Sequence, residues 1–242
     1  MQEKHVVIQT PDGKMETFIS HPDGNGPFPG VVIYQNVGGL SEILRGMARR
    51  ATEEGYYCAV PDLYYRLGKV VIDPDSKDPD VMGVRSAASG SMRNPRVMQD
   101  TQAVIDFMKK DSLVKPGGLG CIGYCMGGRF AILAAGTYPD TFKASASLFG
   151  TRLMTDAPDS PHRVLDKIKG ELYCGFAEHD HSMSLPDVAK FEQLLKDAKV
   201  NFKSEVHPGT EHGYAFPGRK VYHKEASELS WERIFAMFKR QL

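Results

Sequence analysis

The stretch GLGCIGYCMGG, Gly118 to Gly128, decides how the rest of the chain is read. Its first half is an apolar run ending at Tyr124, and its glycine-rich second half leads straight into RFAILAAGTY, a good helix former. Gly123, Tyr124, Cys125, Met126 and Gly127 have the spacing G-x-nucleophile-x-G, with cysteine where serine is usual. Between a strand and a helix, that spacing marks a sharp turn on which a nucleophile is held in strained backbone, with residues lacking side chains packed closely on either side. The side chain at such a turn points out of the sheet, and the N-terminus of the new helix favours a thiolate. A free cysteine is more commonly apolar filler. The strand, the glycines and the helix favour a nucleophile at Cys125, whereas Cys121, inside the strand, is the better candidate for filler.

On both sides of this stretch, short β-rich runs alternate with helix-period segments. HVVIQT and KMETFIS flank the turn PDG as a hairpin; GVVIYQN, YYCAVPD, GLGCIGY, FKASASLFG, GELYCGFAEHD and VNFKSEVHPG follow, all but GLGCIGY ending in Gly, Asp or Asn. Between them, SEILRGMARRATEEG opens with a serine cap and closes at Gly55, and PRVMQDTQAVIDFMKK starts with proline. LPDVAKFEQLLKDAKV and EASELSWERIFAMFKR are amphipathic, with Trp231, Ile234, Phe235 and Phe238 on one buried face. The alternation predicts an α/β fold, a mostly parallel central sheet with helices on both faces and an antiparallel hairpin at its start, built as one domain over residues 1–242. Residues 66–94, rich in Pro, Asp, Gly and Ser, are too long for an ordinary connection and read as an insertion, either a lid near the site or a surface loop.

A thiol nucleophile needs a base, and the base needs an orienting group. AEHDHS and GTEHGYAFP lie beyond the next strands, so the chain order is Cys125, Asp180, His212, the nucleophile, acid, histidine order of α/β hydrolases. Each residue sits just past a predicted strand end, where ligands of open α/β sheets bind. Backbone amides of Met126, opening the helix, and of Val37, in the tight NVGGL turn, are the candidate oxyanion donors. His179, His181 and His207 read as solvated loop residues. The alternative, a metal site shared with His212, suffers from a short HDH run that lacks the closed ligand set of a structural site.

Lys plus Arg and Asp plus Glu number 30 each, so the chain has no one-signed field for nucleic acid or an anionic membrane surface, and a small molecule is the expected partner. Cys58, Cys121, Cys125 and Cys174 lie in or beside predicted strands, which argues for reduced thiols and a cytoplasmic location. The N-terminal MQEKHVVIQT has no basic region followed by an apolar one, and no apolar run approaches the ~20 residues that span a bilayer. The oligomeric state is not legible.

With these residues in view, the chain resembles the dienelactone hydrolase (carboxymethylenebutenolidase) family of the α/β hydrolase superfamily. The likeness runs through PDLYYR, GYCMGGRFA, GTRLMTDAPDSPH, the EHD turn, HGYAFP and the last helix, and the cysteine elbow is its most specific part. The resemblance implies triad roles for Cys125, Asp180 and His212, a lactone or other activated carboxylic ester as substrate, and no metal or organic cofactor. Asn36 stands where the family pattern has a glutamate near the resting thiol, and Gly213 and Phe216 stand where it has a serine and an arginine that help bind a substrate carboxylate. Compensating cations would come from Arg85, Arg93, Arg96 or Arg219, and Tyr64 and Tyr65 would line the site. Asn36, Tyr64, Arg85, Arg93 and Phe216 are therefore the candidate substrate-binding residues. Rival readings are a thioesterase or broad carboxylesterase using the same residues, and a non-catalytic small-molecule binding protein. A redox protein using Cys121 and Cys125 fits less well, because their spacing departs from C-x-x-C.

Overall fold

Strand β1 (Gln2–Thr10) turns at Pro11 and Asp12 into β2 (Gly13–His21), closing the expected antiparallel hairpin in unbroken register from Gln2 opposite His21 to Thr10 opposite Gly13. The computed structural model describes all residues from Met1 to Leu242, which gather into two compact units, Met1–Gly117 and Gly118–Leu242.

In the first unit, β3 (Gly30–Tyr34) runs parallel to β4 (Tyr57–Pro61), and β4 pairs antiparallel with β2. Both β3 and β4 are buried along their whole length, which explains why their sequences are continuously apolar instead of alternating. Helix α1 (Glu42–Glu53) starts at Ser41, whose side chain accepts the Leu44 amide, as the sequence predicts.

The segment expected to be a loop contains a helix. After a 3₁₀ turn at Tyr65–Leu67, α2 (Pro79–Ser91) begins at Asp78, whose carboxylate accepts the amides of Asp80 and Val81, with proline in the first turn. Only Ala88 of α2 is buried, so the helix lacks the apolar stripe by which helices are recognised in sequence. Helix α3 (Asn94–Lys110) completes this unit. Its fully buried Asp100 takes both guanidinium nitrogens of Arg66 at 2.7 and 2.9 Å and the Tyr65 hydroxyl at 3.0 Å, fixing the 3₁₀ turn to the helix.

The second unit is a run of parallel strands in the order β5 (Leu119–Tyr124), β6 (Phe142–Leu148), β7 (Glu171–His179), β8 (Phe202–Glu211). Parallel strands place their carboxyl ends along one edge, so Cys125, Phe149, Asp180 and His212 leave the strands on the same side. Helix α4 (Met126–Thr137) is buried from Met126 through Gly136, and its largely apolar sequence, with Arg129 its one charged residue, fits burial against the strands. Ile132 of α4 meets Phe176 of β7 and, from α5 (Leu185–Asp197), Phe191 and Leu195 in one core cluster. Helix α6 (Lys224–Gln241) buries Trp231, stacked on Phe235 at 5.0 Å, together with Ile234 and Phe238, the face read from its spacing. Strand β8 continues past His207 through Pro208 and Gly209, with a register irregularity opposite Ala177 and His179 that accommodates them.

Candidate active site

The elbow is built from the strand upward. Cys125 has φ 55° and ψ −118°, a conformation rare for a residue with a side chain, and it links the end of β5 to the first turn of α4. Its amide donates to the Leu148 carbonyl at 3.0 Å, and its carbonyl accepts the amides of Gly128 at 3.0 Å and Thr151 at 3.1 Å. Glycine is required on both sides. A Cβ on Gly123 would lie 2.0 Å from the Gly127 carbonyl oxygen, and one on Gly128 would lie 2.6 Å from the Gly150 Cα.

Asp180 follows β7 and His212 follows β8, and the two meet at 2.8 Å between Asp180 Oδ2 and His212 Nδ1. The other carboxylate oxygen of Asp180 accepts the Ser182 amide at 2.7 Å, which fixes the carboxylate plane. Asp180 is only 2 % exposed and His212 12 %, so their contact is shielded from water. With Nδ1–H committed to Asp180, the remaining ring nitrogen of His212 faces the thiol, and the two side chains are hydrogen-bonded. Burial alone would push the Cys125 thiol up; the hydrogen bond and charge of His212, helped by the Met126 amide, outweigh it and bring the thiol below its ordinary range. Burial likewise opposes the charge on His212, and the bonds to Asp180 and then Cys125 override it and raise the imidazole well above its ordinary value. Both directions favour a thiolate paired with an imidazolium. By contrast, burial pushes the Cys121 thiol up to about 12, in keeping with a filler role.

Two neighbours of His212 were not legible as such. The His181 ring packs beside it at 5.1 Å, tilted by 58°. The Phe149 ring meets it in a T-shaped contact at 5.2 Å and 70°, and also touches Tyr214, Phe216 and Tyr124. Phe216 is buried inside this aromatic cluster, 5.1 Å from the Tyr124 ring. His207, read as a solvated loop residue, is instead buried in β8, where Nε2 lies 3.3 Å from the Tyr173 hydroxyl and 3.2 Å from that of Ser230. Burial keeps its imidazole below the ordinary value, hence neutral.

The other nominated residues belong to the first unit. Asn36 Oδ1 accepts the Gly38 amide at 2.9 Å, an Asx turn that shapes NVGGL from within. The buried Tyr64 donates its hydroxyl to the Val37 carbonyl at 3.2 Å, and the Ile72 amide donates to the Gly38 carbonyl at 3.0 Å. The glycine turn is thus held by part of the insertion. Arg85 is engaged within the insertion, donating to the Pro74 carbonyl at 2.7 Å, and Arg93 precedes the first turn of α3.

A parallel run of strands with a strained turn at the exit of one of them, feeding a buried helix, is the arrangement of the α/β hydrolase fold. Solved structures agree: a provisionally named dienelactone hydrolase from Klebsiella pneumoniae subsp. pneumoniae superposes with a TM-score of 0.88 at 23% identity, covering 99% of this chain and 98% of that one. A dienelactone hydrolase-like promiscuous phosphotriesterase from metagenomic libraries superposes with a TM-score of 0.75 at 19% identity, covering 100% and 99%. The chain belongs to the dienelactone hydrolase family, whose model matches residues 15–242. A Synechocystis sp. relative, provisionally named a carboxymethylenebutenolidase, is 28% identical over 240 residues, spanning 98% of this chain and 96% of that protein. The protein is a hydrolase of this family.

Proposed function

We propose that this chain hydrolyses a small carboxylic ester or lactone through a cysteinyl acyl-enzyme. The observation that carries the reading is the hydrogen-bonded series from Cys125 on its strained elbow through His212 to Asp180. The Cys125 thiolate attacks the acyl carbon, and the Met126 amide, already aimed at the sulfur, is the donor nearest the developing oxyanion. As the tetrahedral species collapses, His212 gives its proton to the departing alkoxide; in a lactone that oxygen stays tethered to the acyl group. His212, neutral again, then takes a proton from water as it attacks the thioester, and the thiol group leaves with the proton returned to the pair. Asp180 fixes the imidazole tautomer throughout.

The compartment in which Cys125 works would have to be reducing, as expected of the cytoplasm, and the free thiols of Cys58, Cys121 and Cys174 fit that setting. No helix is long and apolar enough to cross a membrane. The test is turnover of p-nitrophenyl esters, lactones and thioesters by wild type and Cys125→Ala. Activity lost with the thiol supports the proposal, the preferred substrate separates ester or lactone from thioester, and wild-type rates in Cys125→Ala would overturn it.

A further inference from the structure

Phe149 combines two features that ordinary core packing does not require together. It is a bulky residue with φ 39°, in the left-handed region that such residues rarely occupy, and it is completely buried. Its conformation is held from several sides: its own amide donates to the Gly175 carbonyl at 2.7 Å, while the residues around it, Leu148 and Thr151, bind the amide and the carbonyl of Cys125 at 3.0 and 3.1 Å. The turn that strains Phe149 is therefore the turn that fastens the elbow. Its ring then leaves toward His212, with which it makes the T-shaped contact at 5.2 Å.

The ring is itself wedged. Tyr214 and Phe216 meet it edge to face at 5.2 and 5.5 Å, at 71° and 72°. Tyr214 is held by its hydroxyl at 2.9 Å from Ser230, which in turn contacts His207 Nε2 at 3.2 Å. His207 continues the series to the Tyr173 hydroxyl at 3.3 Å, which donates to Glu205 at 3.0 Å. A ring backed by this buried polar series is restrained from following a rotating imidazole. Retained strain of this kind collects where the surroundings over-determine a conformation for function.

We propose that Phe149 is a positioning residue: through one strained backbone turn and one wedged ring it fixes the His212 imidazole relative to the elbow that carries Cys125. The inference rests on the reading of Cys125 and His212 as nucleophile and base. It explains how two residues from different strands, whose contact must be kept within a fraction of an ångström for proton transfer, share a common reference point.

The experiment compares wild type with Phe149→Leu and Phe149→Met, which keep apolar volume and remove the ring. Three quantities are read: kcat and KM on p-nitrophenyl acetate, the pH profile of Cys125 alkylation by iodoacetamide, and the thermal midpoint. Loss of the ring is expected to lower kcat roughly ten- to hundredfold with KM little changed, as for a small misplacement of a catalytic group. The alkylation profile is expected to move to higher pH, because the imidazolium no longer stays against the sulfur. A folded variant with wild-type kcat and an unmoved alkylation profile, lower only in thermal midpoint, would overturn the proposal. In the wild type, nuclear Overhauser contacts between the His212 and Phe149 rings are expected throughout the pH range in which the thiol ionises, and their absence would also overturn it. Should Cys125→Ala keep its turnover, the hydrolase reading fails separately, and the alkylation profiles still decide whether Phe149 couples the two side chains.

Discussion

A Cβ on Gly123 would stand 2.0 Å from the carbonyl oxygen of Gly127. The elbow folds the residue two before Cys125 against the backbone two after it, which is why position 123 must be glycine. Gly123→Ala is expected to force the turn apart, destabilising the protein by about 1–3 kcal/mol and lowering turnover with it. Gly46→Ala is the control: its methyl would meet nothing within 4 Å on helix α1, and it is expected to stabilise by about 0.5–1 kcal/mol. Urea unfolding of the two variants checks the contrast, and equal stabilities would refute it.

With the proposed roles of Cys125, His212 and Asp180, the 2.8 Å bond between Asp180 and His212 predicts an ordered loss of function across the three residues. Cys125→Ala and His212→Ala are expected to abolish ester turnover. Asp180→Asn keeps the shape but permits the wrong imidazole tautomer, and should lower kcat by a factor on the order of 10⁴ while leaving a residue of activity from the backbone donors. Steady-state kinetics on one good substrate give the ranking; an Asp180→Asn enzyme as fast as wild type would remove Asp180 from the site.

The lowered thiol of Cys125 and the raised imidazole of His212 define a pH window in which both are charged. It opens as pH rises through the lowered thiol value and closes as pH rises further through the raised imidazole value. Iodoacetamide should therefore modify Cys125 at mildly acidic pH, well below the ordinary thiol value of about 8.5, and His212→Ala, which leaves burial largely unopposed, should move the profile above that value. Mass spectrometry of the alkylated peptide against pH reads both curves. A wild-type midpoint at the ordinary value would contradict the ion pair.

Asp62, buried just after β4, predicts a pH dependence of stability in the first unit. Burial pushes its carboxyl up to about 6, while the Tyr64 amide and Lys69 act in the opposite sense. Because the folded value lies above the unfolded one, its contribution is fully present below the unfolded value near 3.9 and is lost as pH rises through about 6. Asp62→Asn keeps an acceptor for the Tyr64 amide, now at 3.0 Å, and removes the charge. It is expected to be neutral in acid and to stabilise by roughly 1–3 kcal/mol above neutrality. Urea unfolding at the two ends of that range measures the difference, and a variant equally stable to wild type at both would contradict it.

The alternation of strands and helices was legible because β3 to β5 are buried apolar runs, β6 and β7 end in strand-breaking turns, and α1, α3, α5 and α6 carry one-sided apolar faces. Helix α2 escaped because it buries little beyond Ala88; the Asp78-Pro79 start was its one available signal. The candidate site was legible wherever a residue's chemistry and its place at a strand end coincide, as at Cys125, Asp180 and His212. Phe149 carries no such mark, since its positive φ is imposed by Gly175 and by the turn that holds Cys125, partners that no local pattern brings together. The burial of His207 depends in the same way on Tyr173 and Ser230, each more than twenty residues away in the chain.

Because Cys125 is tied at both its amide and its carbonyl, the direction of its Cβ is determined before its side chain is considered. A serine would occupy the same seat with its oxygen near the same imidazole. What would change is proton affinity, since a hydroxyl holds its proton far more tightly than a thiol whose ionisation His212 and the Met126 amide favour. The fastening thus makes the side-chain atom at this seat exchangeable without moving the backbone that presents it.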